Sequence, residues 1–121
     1  MINLFAVFIG GGLGSLSRFG LAKLAATYLA PGIVYATFFS NLLSAIILGI
    51  FMYVLPDKLM FNSTWKLFML TGFCGGFSTF STFSFETFDL LKNGQIIFAI
   101  TNIIVSISSC LFVLYILYKN Q

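Results

Sequence analysis

The sequence predicts an all-α membrane protein: four transmembrane helices in a single domain over residues 1–121, the third broken near its middle. Three observations lead there. Of the 121 residues, 60% are hydrophobic and 7% charged, and the mean hydropathy is +1.06, so the solvent to expect is lipid. Charge-free runs from Met1 to Ser17, Leu24 to Pro56, Leu67 to Phe85 and Asn93 to Tyr118 approach or exceed the ~20 residues that carry a helix across a bilayer. The third run also contains glycines and hydroxyls for which an uninterrupted lipid-facing helix has no use.

The first helix is expected over about residues 4–29. It lacks the basic start of a signal peptide, and its apolar character persists through Gly14 to Tyr28 with only Arg18 and Lys23 interrupting, so it reads as a mature helix. Pro31-Gly32 ends it in a tight loop. The second helix, about 33–54, stops at Pro56-Asp57, and Asp57 to Thr64 reads as an aqueous loop before Trp65-Lys66 re-enters the interface. The third, about 66–91, is interrupted near Gly75-Gly76. Lys92-Asn93-Gly94 forms the next turn, and the fourth helix fills about 95–118. Tyr28, Tyr35, Tyr53, Trp65, Tyr115 and Tyr118 fall near these ends, where amphipathic aromatics form an interfacial belt.

Several function classes drop out at this stage. Six basic residues scattered over helix ends make no patch despite a net charge of +3, so no nucleic acid partner is expected. The chain has no histidine, and Cys74 and Cys110 lie inside predicted spans without metal-ligand spacing; they read as small buried residues, not as a disulfide, zinc site or cysteine enzyme. Topology rests on lysine and arginine. Lys58, Lys66 and Lys119 mark one side and Arg18, Lys23 and Lys92 the other, a three-against-three tie. Either Arg18 is too deep to count, leaving a weak bias, or the chain inserts both ways round and two copies pair antiparallel.

Gly10 and Gly14 on the first helix and Gly72 and Gly76 on the third share a four-residue spacing that lets helix backbones touch. Arg18 either snorkels to the interface or has a structural role, or it attracts anions. Asn41, in an otherwise apolar helix, is either glue between helices or a donor facing a polar path. Asp89 and Lys92 have the spacing of an ion pair at a solvated helix end. Glu86 lies deeper, either at the mouth of a path or in a structural role. In the fourth helix Asn102, Ser106, Ser109 and Cys110 share a face, a polar stripe unless the hydroxyls merely bond their own i−4 carbonyls.

The segment GFCGGFSTFSTFSFETF, Gly72 to Phe88, gathers these themes. A break at Gly75-Gly76 frees main-chain carbonyls, which attract cations and persist only when buried in protein or lining a cavity. Beyond it Phe80, Phe83, Ser84 and Thr87 share a face, with Ser78, Thr79, Ser81 and Thr82 continuing around it. A phenylalanine ring has a positive edge. With hydroxyl and amide donors beside it, the stripe suits a small, dehydrating anion, each lost water needing a replacement donor because a bare ion in low dielectric costs tens of kcal/mol. Fluoride fits this better than a large halide.

These residues resemble the CrcB/Fluc fluoride channels, small four-helix proteins of microbial membranes. The likeness covers essentially the whole chain and rests on GGLGSLSRFG, SNLLSAIILG and, most specifically, GFCGGFSTFSTFS. It implies a passive fluoride channel in the cell membrane, an antiparallel dual-topology homodimer with two pathways that relieves fluoride toxicity. It implies fluoride contacts at Asn41, Phe80 and Phe83, with Ser81, Thr82, Ser84 and Ser106 supplying hydroxyls. A structural sodium would be held by the main-chain carbonyls of Gly75 and Ser78, while Arg18, Glu86, Asn102 and Cys110 are candidates for a vestibule or polar track. The chain departs from the family pattern at Ser78, where threonine is common, at Ser44, where glycine is common, and at Ser15, where alanine is common; Ser44 and Ser15 are expected to loosen or re-polarise helix contacts. Two rivals are a proton-coupled small multidrug transporter, for which Glu86 is the one candidate acid, and a non-transporting assembly subunit.

Overall fold

The computed structural model describes residues 1–29, 32–55 and 63–120, and among these the secondary structure is entirely helical. In chain order the elements are α1 (Ile2–Tyr28), α2 (Gly32–Gly49), a π-helical extension π1 (Ile50–Val54), α3 (Ser63–Lys66), a second π-helical segment π2 (Leu67–Cys74), α4 (Gly75–Phe77), α5 (Phe80–Lys92) and α6 (Ile96–Lys119). Three stretches are long and apolar enough to cross a membrane: Ile2–Tyr28, Val34–Val54 and Ile96–Lys119. The segment from α3 through α5 runs between them as a helix broken at Ser78 and Thr79. Pro31, the Pro56-Asp57 breaker, Lys58 and most of the loop expected from Asp57 to Thr64 lie outside the described residues.

Backbone contact governs how the broken segment sits. α1 packs along π2 and α4 through the glycine ridge that the four-residue spacing predicts. A Cβ placed on Gly72 would lie 3.0 Å from both the Gly10 Cα and the Val7 carbonyl oxygen, and one on Gly14 would overlap the Phe73 carbonyl. In lipid, where burying apolar surface gains nothing over leaving it in the acyl chains, this close approach is what joins two helices. On the other side α6 packs against α2, with Gly49 receiving Leu114 and Leu117. The Tyr53 and Tyr118 rings, an edge-on pair 5.6 Å apart, close the same helix ends.

The α5–α6 turn follows from its residues. Gly94 has φ +75°, Gly94 N–H donates to Leu91 O at 3.0 Å and Gln95 N–H to Leu90 O at 2.8 Å. This is the paired bonding of a Schellman end, with glycine at its left-handed position. The expected Asp89–Lys92 ion pair is not formed; Asp89 Oδ2 accepts from Asn93 Nδ2 at 3.4 Å, an amide that the turn brings one position closer to the helix end.

The break also lies later than the glycines suggest. Gly75 and Gly76 stay helical in α4, and the backbone becomes extended at Ser78 (φ −78°, ψ 156°) and Thr79 (φ −152°, ψ 115°). Gly76 serves packing: a Cβ there would run into the Gly11 carbonyl. Gly14→Ala is therefore expected to lower the thermal midpoint in detergent, as an overpacked contact of about 1–3 kcal/mol would. Gly12→Ala, whose Cβ would meet nothing within 4 Å, should leave it unchanged or raise it slightly.

Candidate functional site

A helix interrupted inside an apolar bundle strands peptide groups that no water can satisfy. Here side chains of α1, α2 and the segment itself take them up. The Asn41 amide faces Thr79 in both directions: Thr79 N–H donates to Asn41 Oδ1 at 2.7 Å, and Asn41 Nδ2 donates to the Thr79 carbonyl at 3.3 Å. Arg18 Nε donates to the Gly76 carbonyl at 3.3 Å. The Cys74 carbonyl accepts from Ser78 N–H at 2.9 Å, Ser78 Oγ at 2.8 Å and Ser44 Oγ at 3.0 Å. Ser44 is buried, and this departure puts a polar contact between α2 and the break. Ser15 is exposed on α1.

Two carbonyls lose their helical partners in a different way. In a continuous helix the Gly75 oxygen would accept from Thr79 N–H and the Ser78 oxygen from Thr82 N–H. The first amide is taken by Asn41 Oδ1, and the second by Thr79 Oγ1 at 3.3 Å, which caps α5. A Cβ on Gly75 would meet nothing within 4 Å. Carbonyl oxygens with displaced amide partners are the hard donors that hard cations take.

Beyond the break an open cleft of about 380 Å³ runs between α2, α5 and α6. Its lining brings together Asn41, Ser78, Phe80, Phe83, Ser106 and Cys110, with Ser44, Thr79 and apolar residues between them. The Phe80 and Phe83 rings are 5.9 Å apart and inclined at 44°. Phe83 is packed, 9% exposed, whereas Phe80 is 78% exposed on the single chain. Asn41 spends one of its two N–H groups on the break and has a second to offer.

Other candidates lie outside this lining. Ser81 and Thr82 gather around Thr79, with Thr79 Oγ1 3.2 Å from Ser81 Oγ and donating to Thr82 Oγ1 at 3.1 Å. Ser84 is exposed on α5. Glu86 is 6% exposed; its Oε1 accepts from Thr37 Oγ1 at 2.6 Å, and its Oε2 is buried with no hydrogen-bond partner among the described residues. Asn102 sits between Thr87 and Ser106, donating to Thr87 Oγ1 at 2.9 Å and accepting from Ser106 Oγ at 3.3 Å. Sequence reasoning missed the weight of Thr79, Thr37 and Thr87. Thr79 had a legible signal, a threonine immediately before an apolar helical run, which is where an N-cap belongs. Nothing local marks Thr37, whose partner Glu86 lies on another helix, and nothing local pairs Thr87 with Asn102.

The site's geometry predicts that Asn41 holds the break. Asn41→Leu leaves Thr79 N–H unpaired, a loss of about 1–3 kcal/mol, and amide exchange at Thr79 should accelerate while exchange in the middle of α6 stays slow.

Comparison with known proteins gives the same family from several directions. Residues 5–117 match the family described as CrcB-like protein, Camphor Resistance (CrcB). A protein of Ruminiclostridium cellulolyticum named fluoride-specific ion channel FluC is 39% identical over 111 residues, 92% of this chain and 85% of that protein. Proteins of the same name from Serratia proteamaculans and Clostridium perfringens are 38% and 41% identical, over 90% and 88% of this chain and 85% and 84% of their own lengths.

Proposed function

The chain belongs to the CrcB-like family, and from that premise we propose that it is a passive channel selective for fluoride, exporting it from the cytoplasm across the plasma membrane. It performs no covalent chemistry and is not an enzyme. The observation that carries the reading is the cleft that joins two phenylalanines, an asparagine amide and a serine hydroxyl beside a broken helix. An anion entering such a cleft exchanges water for ring edges and donors, and the relatives' name points to fluoride as the anion.

Two copies in antiparallel, dual-topology arrangement form the working unit, with two pathways. Phe80, largely exposed on one chain, would meet the second copy, and the tie in basic residues permits both insertions. The main-chain carbonyls of Gly75 and Ser78 from both copies would hold a sodium ion, which balances the dipoles those carbonyls present. The lipid bilayer is the remaining partner. Glu86, the acid that a proton-coupled transporter would need, does not line the cleft.

Purified protein in liposomes should release fluoride, read with an electrode, while retaining chloride; equal passage of chloride would overturn the reading. Phe80→Ile and Phe83→Ile should each slow release by roughly tenfold, the scale of one lost ion contact of about 1.4 kcal/mol. Sodium should raise the thermal midpoint where a large organic cation does not, and cysteines placed at either terminus should label from both sides of the membrane.

A further inference from the structure

Ser106 is the one hydroxyl of α6 that lines the cleft, and the bonding behind it assigns a direction to its proton. The chain of bonds behind it runs from Ser106 Oγ to Asn102 Oδ1 (3.3 Å), from Asn102 Nδ2 to Thr87 Oγ1 (2.9 Å) and from Thr87 Oγ1 to the Phe83 carbonyl (2.8 Å). Its direction is set at the far end. A carbonyl oxygen only accepts, so Thr87 must spend its single proton on Phe83. Thr87 Oγ1 then accepts from Asn102, which requires the NH₂ end of the amide to face Thr87 and the oxygen end to face Ser106. Ser106, meeting an acceptor, must donate.

The consequence concerns the cleft. A serine hydroxyl has one proton, and here that proton points away from the cleft towards Asn102, so lone pairs face any anion that arrives. For Ser106 to donate to an anion it must first release Asn102 Oδ1, and the 3.3 Å contact is at the long end of hydrogen bonding. Neither Asn102 nor Thr87 lines the cleft. We propose that Asn102, held in one orientation by Thr87 and the Phe83 carbonyl, is a positioning residue that withholds the Ser106 proton and so weakens anion binding in the cleft. A site that binds too tightly conducts poorly, so this places a limit on affinity in a residue outside the path. The inference rests on the fluoride reading above.

The test compares fluoride flux over a range of fluoride concentrations in Asn102→Leu, Thr87→Val and Ser106→Ala, singly and in pairs. Asn102→Leu removes the acceptor. Thr87→Val, outside the cleft lining, lets the amide turn over and donate to Ser106, which releases the same proton. Both should lower the half-saturating fluoride concentration by about two- to tenfold, the worth of one neutral hydrogen bond. Ser106→Ala should raise it, and in that background Asn102→Leu and Thr87→Val should have no further effect. A merely structural tie between α5 and α6 would give additive losses of thermal stability with the half-saturating concentration unmoved, and that result would overturn the proposal, as would shifts that persist without Ser106. Should Asn102→Leu fail to fold, Thr87→Val alone decides. Saturable fluoride flux in the unaltered protein with no response to these variants would overturn this inference and leave the fluoride reading intact; no fluoride flux at all would overturn both.

Discussion

The two-way bond between the Asn41 amide and the Thr79 peptide group holds the rest of the structure in place. A break within an apolar bundle is tolerable only if its peptide groups find partners, and a primary amide both donates and accepts within a single peptide-sized footprint. Because Thr79 N–H is given to Asn41, the Gly75 carbonyl is deprived of its helical partner. Because Thr79 is held extended, its hydroxyl is placed to cap α5, which in turn displaces the partner of the Ser78 carbonyl. The same bond draws α2 against the start of α5, where Phe80 and Phe83 project.

The remaining stranded groups are shared out by helix. Arg18 from α1 takes the Gly76 carbonyl, while Ser44 from α2 adds a bond to the Cys74 carbonyl, which keeps its helical partner Ser78 N–H. Arg18 thus makes a structural contact, its guanidinium bonding a carbonyl beside the break. Its cost in lipid, about 2.5–3.5 kcal/mol on insertion scales, is offset in part by a charge-assisted bond. Glu86 follows a parallel logic with a different partner: Thr37 satisfies one carboxyl oxygen and the other is buried without a partner among the described residues. That places the acid in the contact between α2 and α5, away from the cleft lining.

Much of the architecture was legible because lipid imposes a one-dimensional rule: apolar runs of sufficient length become helices. The glycine spacings Gly10–Gly14 and Gly72–Gly76 announced backbone contact, and α1 meets π2 and α4 there. The position of the break was not legible from glycine content. Gly75 and Gly76 have the composition of a breaker, yet the residues that leave the helix are Ser78 and Thr79, because Asn41 offers the partner that makes the extended backbone affordable there. The polar residues were likewise visible as a set but not as pairs. Asn102 reads as one more member of a stripe until α5 brings Thr87 beside it.

By itself the sequence determined the solvent, the helical class, the α1 contact ridge and the inventory of rings, hydroxyls and amides from Gly72 to Phe88, since each follows from composition and from spacing along one chain. It also carried the family likeness, which depends on the order of residues alone. The tertiary structure decided which donor meets which stranded carbonyl, and that Ser81 and Thr82 turn to Thr79 while Ser106 and Cys110 join Asn41, Phe80 and Phe83 in one cleft. The physical reason is that a hydrogen bond between helices is fixed by their axial register and rotation, quantities that come from packing several helices together and that no single helix encodes.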